Sequence, residues 1–227
     1  PDQGGLAADL DRVLAFGTTP TERAQDAFYS PGAYGIADYA AIWVHTSYYV
    51  APHLVAVALW WRGVRTGRPR MFDNYLRATL LVMAFGLLLY VLLPISPPWL
   101  QGTKEDPMSV YRITRASNAG ETQDPEQVYT FFTDPNPVAA MPSLHTAFAV
   151  LLALVLWRHD RRLGLLGVLY ALLMGASLIY LGEHYLVDVL AGAAVAIGAG
   201  WLVFRHERRN QHDSEPPPRL ASSSDWT

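Results

Sequence analysis

The chain has 227 residues, 51% of them hydrophobic and only 16% charged, with a formal net charge of −3 and no cysteine. A soluble domain of this length spreads its charges evenly; here they cluster between long uncharged intervals, which excludes an ordinary soluble helical bundle. The lack of cysteine excludes disulfides and thiol chemistry.

The N-terminal segment is acidic, with Asp9, Asp11, Glu22 and Asp26. Leu6, Leu10, Val13 and Leu14 share one helical face, and Thr19-Pro20-Thr21-Glu22 has the form of a capping box with proline at the first helical position. Residues 1–37 are therefore expected to form short helices on the outer membrane surface, with a structural role. Five apolar runs follow: Tyr39–Trp61, Ala78–Leu93, Pro137–Trp157, Leu163–Leu181 and Tyr185–Phe204, with Asp188 the one charge inside them. A helix needs about 20 apolar residues to cross a bilayer. The runs show no period-2 alternation, so they predict helices rather than barrel strands. The expected fold is all-α: a polytopic transmembrane bundle with five visible spans, its single catalytic domain covering residues 38–204.

Charge sets the expected topology. Arginines crowd three connections: Arg62, Arg65, Arg68 and Arg70; Arg158, Arg161 and Arg162; Arg205, Arg208 and Arg209. Such residues stay in the cytoplasm. Glu105, Asp106, Glu121, Asp124, Glu126 and Asp134 fill the middle loop instead. The N-terminal segment, the loop from about residue 94 to 143 and the Gly182–His184 turn are thus expected outside, and residues 205–227 form a cytoplasmic tail. Five spans with an external start need something to translocate residues 1–37, so a sixth, upstream span is expected. Trp43, Trp60, Trp61, Trp157 and Trp201 read as an interfacial aromatic belt. The middle loop is longer than ordinary connections, and loops of that length are functional or disordered. The tail beyond Arg209 is polar and rich in Pro and Ser, which predicts disorder.

Ionisable residues within spans are functional candidates, because a partner must offset their desolvation. Residues 163–204 are too long for one helix, so the chain turns near Gly182 and places His184 at the external start of the last span. Asp188 lies one turn further on the same face. Its carboxylate can hold one imidazole nitrogen and leave the other as nucleophile or base. The plainer alternative is a buried polar pair that joins two helices. Upstream, Ser143 is placed to cap the helix starting at Leu144, and that N-terminus is a natural seat for phosphate. His145, in its first turn, is brought by topology to the same membrane face as His184.

Pro142-Ser143-Leu144-His145, followed after one helix by His184-x-x-x-Asp188, resembles the paired signature of the type 2 phosphatidic acid phosphatase superfamily. Leu144 at a position usually held by Gly resembles the branch containing inositol phosphorylceramide synthases, as do Pro94-Ile95-Ser96-Pro97-Pro98-Trp99 and the run Tyr185–Gly192. The resemblance covers about residues 35–204 and implies six spans. It implies that His184 attacks phosphorus to give a phosphohistidine, that Asp188 orients it, and that His145 protonates the leaving group. It implies no metal and no other cofactor, and no nucleic-acid partner is expected.

The chain also departs from the phosphatase pattern. Ser177 is present, but Leu178 stands where that pattern has arginine, and Lys104, Arg112 and Arg115 match no loop motif. A phosphate dianion needs cationic neutralisation, whereas a diester carries one charge. The expected function is therefore transfer of a phospho-headgroup, with phosphoinositol a candidate, from a phospholipid to a hydroxyl acceptor. An arginine introduced at position 178 is expected to favour monoester hydrolysis. The alternative is a lipid or polyprenyl phosphate phosphatase. A proton-relay transporter would show inverted repeats or a broken mid-membrane helix, and the sequence suggests neither.

Ser143, Leu144, Ser177, Tyr180, Trp99, His45, Arg112 and Arg115 are the candidate substrate-binding residues. His45 lines a headgroup pocket or packs between helices, and His53, beside Pro52, reads as a packing or kink feature. Tyr180, Glu183 and Tyr185 either bind headgroup atoms or anchor the interface. Asn136 closes the loop onto the site or simply turns the chain before Pro137.

Overall fold

A computed structural model of the protein describes residues 3–100, 110–114 and 138–213, the last eight as backbone alone. Its α-helices are α1 (Gly4–Leu14), α2 (Pro20–Phe28), α3 (Ile36–Thr46), α4 (Ala51–Thr66), α5 (Arg70–Leu92), α6 (Leu144–His159), α7 (Arg161–Tyr180) and α8 (Leu186–Asp213). No strand occurs among the described residues, as expected from the apolar periodicity.

Three helices, α5, α7 and Leu186–Arg205 of α8, are long and apolar enough to cross a membrane, and α6 is a shorter apolar helix. Leu80, Leu87 and Leu88 of α5, Leu165 and Leu172 of α7 and Ile197 of α8 all point outward. Water would not tolerate so broad an apolar exterior, but lipid is its proper solvent. The chain is an integral membrane protein.

At the centre of the bundle lies α6. Its Ala147, Phe148, Leu151, Leu152 and Val155 are buried against Tyr75, Ala78 and Val82 of α5 and Ala196, Ala199 and Val203 of α8. After the single residue Asp160 the chain reverses into α7, which the Asp160 carboxylate caps by accepting the Arg162 and Leu163 N–H groups at 2.8 and 3.1 Å. Small residues let the helix backbones approach. A Cβ on Gly192 of α8 would stand 2.2 Å from the Ser143 carbonyl oxygen. Gly192→Ala is therefore expected to destabilise by about 1–3 kcal/mol through overpacking and to displace Ser143. Gly198→Ala, where a Cβ meets nothing within 4 Å, is the control; thermal unfolding in detergent compares the two.

The first apolar run is not one helix. It is divided into α3, a 3-10 turn at Ser47–Tyr49, and α4. Pro52 has no N–H to donate, and its ring would clash with the Tyr48 carbonyl in a continuous helix. Ser47 Oγ secures the break, lying 2.6 Å from the Val44 carbonyl and 2.9 Å from the Tyr170 hydroxyl.

The expected N-terminal helices are present. Thr19 and Glu22 form the reciprocal capping box, with Glu22 N–H to Thr19 Oγ1 at 3.2 Å and Thr19 N–H to Glu22 Oε2 at 3.0 Å. On α1, Leu6, Leu10, Val13 and Leu14 are exposed while Asp11 is buried. Its apolar face looks outward and its carboxylate inward. At the other end, α8 runs on to Asp213, beyond the expected limit of the last span.

Candidate active site

Gly182, at φ +78°, lets the chain turn between α7 and α8, and a Cβ there would also meet the Tyr111 carbonyl at 2.6 Å. The Glu183 and His184 N–H groups both donate to the Leu178 carbonyl, at 3.0 and 3.3 Å. His184 is thereby fixed just before α8, with Asp188 on the first turn. The two side chains meet as their spacing predicts: His184 Nδ1 lies 3.5 Å from Asp188 Oδ2. The contact is an ion-pair distance without hydrogen-bond geometry. Both His184 Nδ1 and Asp188 Oδ1 are buried and lack a hydrogen-bond partner among the described residues. Contacts of this length between an imidazole and a carboxylate commonly tighten into hydrogen bonds only with a ligand bound. Asp188 Oδ2 also accepts the Tyr185 N–H at 2.9 Å, which holds the carboxylate still.

The second histidine is set by an adjoining piece of backbone. Ile95 donates to the Val138 carbonyl and accepts from the Ala140 N–H, at 3.0 and 2.9 Å, so the Pro94–Trp99 segment braces the approach to α6. Ser143 caps α6, accepting the Thr146 N–H at 3.3 Å. Its own N–H donates to the Asp188 carbonyl at 3.0 Å, joining the two motifs directly. From this first turn His145 lies 5.6 Å from His184, ring centroid to ring centroid, at 62°. His45 of α3 follows at 5.0 Å from His145, and Tyr48 covers the same ring at 4.3 Å. The break after α3 thus delivers an aromatic side chain to the histidine row. The Tyr90 hydroxyl of α5 faces the Leu144 N–H at the α6 terminus. His53 stands apart and exposed on α4. No group of three or more His, Asp or Glu suited to a metal ion occurs among the described residues.

Beside His184 lies an ion pair that the sequence did not reveal. Arg112 Nε and a second guanidinium nitrogen donate to the two Glu183 carboxylate oxygens at 3.0 and 3.2 Å, and Thr114 Oγ1 adds a third bond at 2.7 Å. The guanidinium stacks 4.2 Å above the ring of buried Trp99. Burial pushes the Glu183 carboxyl up, but the Arg112 charge and the hydrogen bonds from Arg112 and Thr114 outweigh it and hold it below the usual range.

The other candidates are distributed unevenly. Leu144 packs over Gly86, where a Cβ would stand 2.5 Å from its methyl carbon. Ser177 Oγ donates to the Met174 carbonyl of its own helix at 2.8 Å. Tyr180 donates to buried Asp38 at 2.5 Å and forms an edge contact with Phe28, under the N-terminal segment. Tyr185 is fully buried beside Ala7, Ala8 and Ile95. Leu178 is fully buried with Ala149 and Met174, so its side chain belongs to helix packing. Lys104, Arg115 and Asn136 lie outside the described residues. Sequence reasoning missed Tyr48, Tyr90 and the inward turn of Asp11. Tyr48 alone left a signal, three residues after His45 on one helical face.

A row of histidines backed by a buried carboxylate, at one end of membrane-spanning helices, defines a class of polytopic membrane protein built around a polar intramembrane site. The chain belongs to the PAP2 superfamily: the model of that family matches residues 26–202, both histidine motifs included. It is 42% identical over 67 residues to the undecaprenyl-diphosphatase BcrC of Bacillus subtilis, covering 30% of this chain and 35% of that protein. It is 32% identical over 119 residues to the inositol phosphorylceramide synthase catalytic subunit aur1 of Schizosaccharomyces pombe, covering 50% of this chain and 28% of that protein. The chain therefore spans about a third of the length of the curated relatives it matches. No solved structure matches it. Both relatives are enzymes by name, a diphosphatase and a synthase catalytic subunit.

Proposed function

We propose that the protein is a lipid phosphotransferase that moves a phospho-headgroup from a phospholipid donor to a hydroxyl acceptor through a phosphohistidine at His184. His184 Nε2 attacks phosphorus while Asp188 holds Nδ1–H, and the bond to the leaving oxygen breaks as His145 supplies its proton. The acceptor hydroxyl then attacks the phosphohistidine, giving its proton back to His145. Phosphoinositol is the candidate headgroup, by the likeness to aur1.

The observation that carries transfer over hydrolysis of a monoester is the Arg112–Glu183 pair. Arg112, paired with the residue next to His184 in the chain, already faces a bidentate carboxylate. Such a site suits the single charge of a diester better than a dianion. Purified protein is expected to cleave a phosphodiester lipid faster than phosphatidic acid and to favour an alcohol acceptor over water, with products identified by mass spectrometry. The identity to BcrC favours a second reading, a lipid diphosphatase. Fast release of inorganic phosphate from phosphatidic acid or a polyprenyl diphosphate, with no transfer product from any donor, would establish that reading instead.

The arginine-marked turn at residues 62–70 supports an active site on the extracytoplasmic side. The chain lacks cysteine, and Ser30 and Thr66 are exposed on the two sides of this reading. In intact cells, Ser30→Cys is expected to react with a membrane-impermeant thiol reagent and Thr66→Cys is not. The opposite labelling would put the site in the cytoplasm.

A further inference from the structure

Asp11 takes no part in the chemistry above, yet its side chain is wholly shielded from solvent. It sits on α1, whose leucines face outward, and its carboxylate reaches the start of α8. Oδ2 accepts the Leu186 N–H at 2.8 Å and Oδ1 accepts the Val187 N–H at 3.0 Å. These are the first two residues of α8, between His184 and Asp188. Ala7 and Ala8 on the same face of α1 pack with Tyr185 and Val187, and with Ile95 and Ala140 from the segments that brace α6. The Gln3 N–H donates to the Pro94 carbonyl at 2.9 Å. Burial pushes the Asp11 carboxyl up, opposed by the two N–H bonds.

Two helix N-termini, of α6 and α8, open at this end of the bundle. A helix N-terminus offers N–H groups and the positive end of a helix dipole, which attract a phosphate; on α6 the Thr146 N–H is taken by Ser143. On α8 that seat is filled: Asp11 takes two N–H groups and Asp188 takes the Tyr185 N–H. We propose that Asp11 is a positioning residue that plugs the α8 N-terminus from a helix seated on the lipid surface. It thereby holds the nucleophile in register and denies the α8 terminus to the substrate phosphate. The lipid contact enters because α1 has an exposed apolar stripe, Leu6, Leu10, Val13 and Leu14, opposite its buried carboxylate. Seating that stripe in the bilayer presses Asp11 onto α8. The role rests on His184 being the nucleophile, as proposed above.

The test compares Asp11→Ala, Asp11→Asn and the lipid-facing double variant Leu10→Ser/Val13→Ser with wild type in phospholipid nanodiscs. Asp11→Ala is expected to lower kcat by about 10- to 100-fold, the cost of a nucleophile displaced by around an ångström, with KM nearly unchanged. Asp11→Asn, which keeps the volume and one acceptor oxygen, should fall between. The double variant should lose kcat in the same direction although neither residue touches the site. Hydrogen exchange of the Leu186 and Val187 amides, read by mass spectrometry, should quicken in all three. If Asp11→Ala fails to fold, Asp11→Asn decides the matter by the same two readouts. A kcat within twofold of wild type, or a raised KM with kcat intact, overturns the positioning role. Turnover of no lipid phosphate by wild type would sink the proposed function instead. The exchange readout still decides the plug in that case, and unchanged protection at Leu186 and Val187 overturns it.

Discussion

His184→Ala is expected to abolish turnover while leaving the fold in place. The side chain can be removed without loosening the turn, because the bonds that hold residues 183 and 184 run from their backbone N–H groups to the Leu178 carbonyl. Its Nδ1 makes no hydrogen bond among the described residues. His145→Ala removes the proposed acid and should cost roughly 10²–10⁴-fold in kcat. Asp188→Asn removes the charge beside His184 and makes acceptance of the Tyr185 N–H depend on which way the amide is turned. Its activity must therefore be read beside a thermal unfolding curve. Rapid-quench trapping of an acid-labile phosphoprotein should succeed with wild type and fail with His184→Ala. Near-normal activity in His184→Ala would remove the phosphohistidine mechanism altogether.

Glu183→Gln is expected to turn the enzyme toward monoester substrates. The substitution keeps volume and leaves an oxygen for the Thr114 hydroxyl, but it removes the negative charge that Glu183 sets against Arg112. The guanidinium, stacked on Trp99, then carries charge that Glu183 no longer offsets and that a phosphate dianion can meet. Charge-assisted bonds of this kind are worth about 1.5–3 kcal/mol, so kcat/KM for phosphatidic acid should rise about tenfold or more relative to a diester lipid. Arg112→Ala is the wrong probe, for it leaves the largely shielded Glu183 carboxylate without the guanidinium that offsets its desolvation. Equal rates on both substrates before and after Glu183→Gln would show that the ion pair has no part in selectivity. Position 178, where the sequence suggested such a switch, is a packing position. Leu178 is packed against Ala149 and Met174 at 0% exposure. An arginine there buries an unpaired charge in the helix interface before it can meet a phosphate.

What the sequence determined by itself was whatever depends on short-range periodicity. His184 meets Asp188 four residues on, the serine before Leu144 caps α6, and Thr19 with Glu22 closes its box, because each pair is separated by only a few residues of chain. The uncharged runs marked α5, α7 and α8 as spans for the same reason: length and composition are local properties. The break at Ser47–Tyr49 was local too, announced by Pro52, but a long apolar run concealed it. Only the tertiary structure decided which face each helix turns to its neighbours. Rotation about a helix axis is set by packing partners, so the direction of Leu178 could not be read from its place in a motif. Nor could the partner of Asp11, which lies 175 residues away, or that of Glu183, which comes from a loop. A buried carboxylate is stable only where distant N–H or guanidinium groups converge on it, and folding alone brings them there.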